Sequence, residues 1–365
     1  MNFKKAYLNL IILLVGTLLV GCGGKSASSN ENESKKEQEN DSVKAIELNV
    51  NNFAPSTGHL AYNVFEPWKE IVEEKTNDRV KVNLYHGASL GKANTVYQDV
   101  EGGLYEVGLV ATNYFYDTKF FPYTIGNLPF ALVEEPEKSK AVLKKFGEKY
   151  ANEDLSDVIL MPPTITDPYI MFSSKPIKSV NDLKKKKMRA SSTSEAEFVK
   201  ALDGVPVSIT YEDTYEALQK NTVETSFFSP IAAIGPKFFE PAPYISKLNI
   251  SVIPFVPIMN KTFYDNLPED LKKIFDEELN PKLTELVTES YKLELEKSYE
   301  KLKDEVANRG EIITPTEEEV KIFKEAGKAA WDNWIETADK KGYNGQEMVD
   351  EFIKLLEEEG LQTPF

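Results

Sequence analysis

Side chains able to do covalent or metal chemistry are few along this 365-residue chain. There are two histidines, His59 and His86, and one cysteine, Cys22. No glycine-rich phosphate loop, no His-x-x-x-His and no Cys-x-x-Cys occurs. A metal site would have to be built almost wholly of carboxylates, and acidic pairs such as Glu73-Glu74 read as solvated faces rather than acid–base dyads. The cluster Ser191-Ser192-Thr193-Ser194 has no histidine near it in sequence, so it reads as a polar loop or a helix N-cap rather than a nucleophile. Arg189 stands out for a different chemistry, because a guanidinium presents a planar fork that matches a carboxylate. Read alone, Arg189 is half of an internal salt bridge or the end of the lysine run at 184–187. These residues carry no sign of a metal or cofactor site.

The single cysteine has a context of its own. Lys4 and Lys5 precede an apolar run over 8–20, and Leu19-Val20-Gly21-Cys22 closes it. That order is a secretory signal peptide, and the run is shorter than the roughly 20 residues a membrane-spanning helix needs. Leu-Val-Gly-Cys resembles the bacterial lipobox. The resemblance implies cleavage before Cys22, a diacylglycerol on its sulfur, and a mature chain tethered to the outer face of the cell membrane by lipid alone. No other cysteine is available for a disulfide. Residues 23–43 are low-complexity Ser, Asn, Glu and Lys and cannot bury enough to order themselves, so 22–43 reads as a flexible tether.

Stability must therefore come from a core, and the length of the remaining chain argues for two lobes. The first 43 residues are balanced in charge, so the net −16 sits on the folded body. An acidic body speaks against nucleic acid or anionic lipid as partner.

Alternating strands with helices predict α/β architecture with parallel strands. Strands are expected at 45–50, 79–84 and 107–111, with helices at 60–75 and 96–102, and a second series starts near 159. Residues 44–160 are expected to form mainly the first lobe and 161–248 mainly the second. Residues 249–365 then supply a crossover strand near 250–257, a long helix, and C-terminal helices at 317–340 and 345–359 packing on both lobes. Asn280 before Pro281 suits an N-cap followed by proline at the first helical position. A helix over 281–309 would be about 43 Å long, enough to lie across both lobes.

Two stretches carry a specific resemblance. The first is Lys175-Pro-Ile-Lys-Ser-Val-Asn-Asp-Leu-Lys-Lys-Lys-Lys-Met-Arg189. The second is Gly204-Val-Pro-Val, then Glu212-Asp-Thr-Tyr215-Glu-Ala-Leu-Gln219, then Val223-Glu224. Both are similar to motifs of the solute-binding proteins of TRAP transporters, the DctP family. Lesser echoes occur in the family's order: Ser89-Leu90-Gly91, Leu128-Pro129-Phe130, and Met259-Asn260-Lys261 before Leu267-Pro268. The chain departs from the pattern at Lys185 and Asn221, where relatives carry glycine. It departs again at Tyr169, where many acid-binding relatives carry a second arginine.

The resemblance implies a periplasmic-binding-protein-like fold, two α/β lobes around a ligand cleft with a long bridging helix, and no catalysis. It places Arg189 at the cleft, holding a substrate carboxylate. Asn113 and Tyr114 follow the strand at 107–111, and Phe228 and Ser229 follow the strand at 223–227. In open α/β sheets ligands sit beyond the carboxyl ends of strands. Each of these residues either touches the ligand or caps and packs its own loop. His59, just after the first strand, either reaches the cleft or packs the first helix. Tyr169 either offers its hydroxyl to the ligand or is a half-buried strand tyrosine. The implied function is the extracytoplasmic receptor of a TRAP-type transporter, delivering an organic acid to membrane permease subunits. With one arginine and Tyr169 in place of a second, a monocarboxylate is expected over a dicarboxylate. The alternatives are a substrate-binding lipoprotein of an ABC importer and, more remotely, a secreted lipoprotein hydrolase.

Overall fold

The structure is a computed structural model that describes residues 44–133 and 135–365. The signal segment, Cys22 and the tether lie outside the described residues. Twelve strands build two sheets. In chain order they are β1 (Ile46–Asn52), β2 (Val80–His86), β3 (Val107–Ala111), β4 (Val158–Leu160), β5 (Thr164–Ile165), β6 (Ile170–Ser173), β7 (Lys187–Ala190), β8 (Val205–Ser208), β9 (Thr225–Phe228), β10 (Tyr244–Ser246), β11 (Pro254–Asn260) and β12 (Glu311–Ile313).

The first sheet has the order β2-β1-β3-β11-β4, with β5 also on β11. The second has the order β12-β10-β6-β9-β7-β8. Neither is all-parallel. β1 runs parallel to β2 and β3, but β11 arrives from the other sheet and pairs antiparallel with β3 and β4. In the second sheet β7 is parallel to β8 and β9, while β6 is antiparallel to β9 and β10. The alternation of strands and helices predicted parallel pairs within each lobe; it does not register strands that cross between lobes. For the same reason β5, inside the 161–248 range, joins β4 on β11 in the first sheet.

The crossings at 166–169 and 247–253 are themselves a ladder. The Thr166 and Tyr169 N–H groups donate to the carbonyls of Ile253 (3.0 Å) and Ser251 (2.7 Å), and the Ile250 N–H donates back to Tyr169 (2.9 Å). Two paired extended segments make a connection that bends without leaving buried backbone groups unpaired.

The long helix is Asn280–Val306. Near its start Thr284 and Thr288 bond to Pro162 and Thr164 beside the first sheet. Further on, Tyr299 lies under Lys247, and the chain continues into β12 of the second sheet. The helix thus braces both halves. It does not begin at Pro281, and Asn280 is not its cap. Asn280 is helical and buried, because a wide turn at Phe275–Leu279 joins it to the preceding helix Glu269–Ile274. The same device occurs at Ala61–Phe65, ahead of Pro67. In both turns an N–H reaches back five residues, Glu66 to Ala61 and Asn280 to Phe275. A proline inside a helix cannot donate to the residue four back and crowds its carbonyl. A π turn just before it relieves both problems, so the helix continues.

The C-terminal helices Glu317–Lys340 and Gly345–Glu358 seal the fold. Trp331 and Trp334 donate their indole N–H groups to Pro129 (3.0 Å) and Thr124 (2.8 Å), and Phe323 meets Phe198 behind the second sheet. Among the described residues no helix is long and apolar enough to cross a membrane.

Candidate functional site

Strand direction brings the site together. β7, β8 and β9 are mutually parallel, so their carboxyl ends share one edge, carrying Arg189, Tyr211 and Phe228. β6 runs the other way, with Ile170 opposite Phe228, and so places Tyr169, just before its start, on that same edge. In the first sheet β1 and β3 end at Phe53 and at Asn113-Tyr114, and antiparallel β11 begins there with Phe255 opposite Ala111. The two edges face one another.

Between them lies a narrow cavity of about 40 Å³. Six of the residues singled out from sequence line it: His59, Asn113, Tyr114, Tyr169, Phe228 and Ser229. Phe53, Tyr211, Phe255 and Tyr291 complete an aromatic lining. Phe228 is held between two rings, Tyr169 at 5.4 Å and Tyr211 at 5.5 Å between centroids, both near parallel. Asn113 and Tyr114 also border a wider polar cleft with Ser191, Ser192, Ser208 and Thr210.

Arg189 stands one layer behind that wall. It is 1% exposed, and its guanidinium carbon sits 5.1 Å from the centre of the Phe228 ring. Nη2 donates to the Tyr114 hydroxyl at 3.1 Å, while Nε and Nη1 are buried without a partner. Among the described residues Arg189 forms no ion pair with a carboxylate. The Arg189 charge acts on buried Glu195, whose Oε2 accepts the Ser191 N–H and hydroxyl at 2.7 and 2.6 Å. Burial raises the Glu195 pKa, and the Arg189 charge opposes that rise. Ser192 caps the helix Thr193–Ala201, its Oγ accepting the Glu195 N–H at 3.1 Å. A buried guanidinium with unfilled donors is costly, and a carboxylate is the group that satisfies it best.

The remaining candidates divide by their bonds. Ser229 is committed to the fold, donating to Asp167 and accepting the Ala232 N–H at 2.9 Å. Asp167, on the crossing, also accepts the Ile231 N–H, yet burial pushes its pKa up to about 7. Asn113 has its side-chain oxygen buried without a partner. His59 both packs and lines the cavity. Its Nδ1 meets Ser290 Oγ at 2.8 Å, the Tyr291 ring stands edge-on at 4.5 Å, and burial lowers its pKa to about 3.

Tyr211, Phe53 and Tyr291 were not singled out from sequence. The strand-end rule that points to Asn113 and Phe228 would also reach Phe53 and Tyr211. Tyr291 lies mid-way along the long helix, where an aromatic on an apolar face carries no sign of lining a cavity.

Residues 51–337 match the DctP family, bacterial extracellular solute-binding protein, family 7. The chain belongs to this family. A DctP-family protein is a binding protein and not an enzyme, as the lack of a nucleophile or metal constellation in the sequence implied. The chain is 23% identical over 218 residues to the 2,3-diketo-L-gulonate-binding periplasmic protein YiaO of Escherichia coli, a match spanning 59% of this chain and 65% of that protein. It is 23% identical over 275 residues to the C4-dicarboxylate-binding periplasmic protein DctP of Rhodobacter capsulatus, covering 69% of this chain and 80% of the other. Its fold superposes with a TM-score of 0.79, at 21% identity and over 86% of this chain and 99% of the other, on a marine-metagenome TRAP solute-binding protein specific for aromatic acid ligands, in complex with metahydroxyphenylacetate.

Proposed function

We propose that this DctP-family protein is the extracytoplasmic receptor of a TRAP-type transporter, binding an organic monocarboxylate through Arg189 and handing it to membrane permease subunits. One observation carries the ligand class: a buried arginine with two unfilled nitrogens, backed by an aromatic lining in which no second arginine or lysine takes part. One carboxylate compensates one guanidinium. A second, carried into the same aromatic cavity, would be buried without a cation and would cost several kcal/mol. Tyr169 in place of a second arginine supports the same reading. The rings of Tyr211, Phe228 and Tyr169 suit a planar, uncharged body such as that of a 2-oxo, 2-hydroxy or aromatic acid. Asn113 and Tyr114 join the site from the first lobe, so closure of the lobes and capture of the ligand are one event. The chain reaches the membrane by a diacylated Cys22 and stays on its outer face.

A thermal-shift screen tests this reading, since a ligand that binds only the folded state raises Tm. Monocarboxylates of the aromatic, 2-oxo and 2-hydroxy classes are expected to raise it, and succinate and malate are not. A shift confined to dicarboxylates would overturn the ligand class.

A further inference from the structure

Besides the Arg189 nitrogens behind the wall, two lining residues carry an unpartnered buried polar atom, Asn113 at Oδ1 and His59 at Nε2. His59 is 4% exposed and lies on the cavity wall. Its ring is fixed on two sides. Nδ1 is hydrogen-bonded to Ser290 Oγ on the long helix, and the Tyr291 ring stands edge-on against it. Nε2, on the opposite side of the ring, is buried with no partner. A buried ring nitrogen left unpaired costs about 1–3 kcal/mol, so such atoms in a binding cavity mark a contact that a ligand completes.

We propose that His59 is a specificity-determining residue, its Nε2 forming a hydrogen bond to a hydroxyl on the body of the bound acid. The inference rests on the reading of Arg189 as the carboxylate's partner and adds the second point of recognition. A hydroxyl fits because it both donates and accepts. Whichever tautomer the Ser290 contact selects, Nε2 finds its complement. A second carboxylate does not fit. Burial holds His59 neutral through ordinary pH, so it supplies no counter-charge. His59 thus occupies the cavity as a neutral polar group where a dicarboxylate would need a cation.

Three acids sharing one ring separate the possibilities: benzoate, 3-hydroxybenzoate and benzene-1,3-dicarboxylate, titrated calorimetrically, with phenylacetate and 3-hydroxyphenylacetate as a longer pair. The hydroxylated member of at least one pair is expected to bind about tenfold tighter or more than its parent, and the dicarboxylate weakest of all. In His59→Phe the ratio of hydroxylated to parent affinity should fall to near unity, whatever the change in absolute affinity. His59→Gln, which keeps a polar group, should retain part of the preference, and it serves if the Phe variant folds poorly. Equal affinities for parent and hydroxylated acid in the wild type, or a preference unchanged in His59→Phe, would overturn the role of His59 and leave the Arg189 reading standing. Tight binding of the dicarboxylate alone would overturn both, and no binding of any of the five would overturn the role of His59 while leaving the 2-oxo and 2-hydroxy acids to test Arg189.

Discussion

The guanidinium of Arg189 and the hydroxyl of Tyr114, 3.1 Å apart, join the end of a second-sheet strand to the loop after a first-sheet strand. The contact bridges the two sheets, so on the proposed reading of Arg189 it ties the carboxylate's partner to lobe closure. Tyr114→Phe keeps the ring and removes the acceptor. Its ligand affinity is expected to fall about tenfold, the worth of a hydrogen bond to a charged group. Isothermal titration measures this, and an unchanged affinity would separate Tyr114 from the site.

A second pair of contacts closes the rim. Glu212 accepts the Ala93 N–H at 2.7 Å, and Lys92 pairs with Asp213 at 2.8 Å. The ion pair is half exposed and worth little. The Glu212 bond, partly buried, holds more. Small-angle scattering of ligand-free Glu212→Ala is therefore expected to give a larger radius of gyration than wild type, and Lys92→Ala to give nearly the wild-type value. Saturating ligand should compact all three. Curves unaffected by either Glu212→Ala or ligand would rule out the hinge mechanism.

Asp167 and His59 give stability opposite dependences on pH. Asp167 has a folded pKa of about 7, above the ordinary carboxylate range, so the folded state holds its proton where the unfolded chain has lost it. Its contribution falls as pH rises from about 4 to about 7. His59, lowered to about 3, contributes the reverse: stability is full above about 6.5 and is lost as pH falls toward 3. Asp167→Asn removes the first slope alone. Denaturant unfolding should show the variant gaining on wild type from about pH 4 to pH 7, by on the order of a few kcal/mol, then levelling. A difference constant across that range would mean Asp167 is not held protonated.

Two of the three departures from the family pattern have a structural meaning in the backbone. Lys185 and Asn221, where the resemblance leads one to expect glycine, both have positive φ, +60° and +55°. The backbone is left-handed at these points, which glycine adopts freely and asparagine tolerates better than lysine. Lys185→Gly is expected to stabilise the fold by about 1 kcal/mol and Asn221→Gly by less. A destabilised Lys185→Gly would show that the lysine side chain earns its place through contacts.

How much of this was legible in the sequence depended on what each residue must do locally. Arg189 was singled out only through its surrounding motif, since a lone arginine after a lysine run looks like a charged surface. Asn113, Tyr114 and Phe228 followed from the rule that ligands sit beyond strand ends. Tyr211 and Phe53 obey the same rule, but their neighbours read equally well as turns. Tyr291 was invisible because a helix aromatic facing a cavity and one facing a core have the same spacing. Asn280-Pro281 misled, because a widened turn absorbs the proline that normally marks a helix start. β5 carried no sign of the first sheet because pairing partners about ninety residues apart leave no local trace.

The central claim is that Arg189 holds the carboxylate of a monocarboxylic acid. Calorimetric titration of wild type, Arg189→Ala and Arg189→Lys with the best acid from the thermal screen tests it most directly. The account predicts a loss on the order of 2–5 kcal/mol in Arg189→Ala, the cost of leaving one buried charge unpaired. Arg189→Lys should recover little, because an ammonium cannot reproduce the planar fork. Undiminished affinity in Arg189→Ala would contradict the account and place the carboxylate elsewhere.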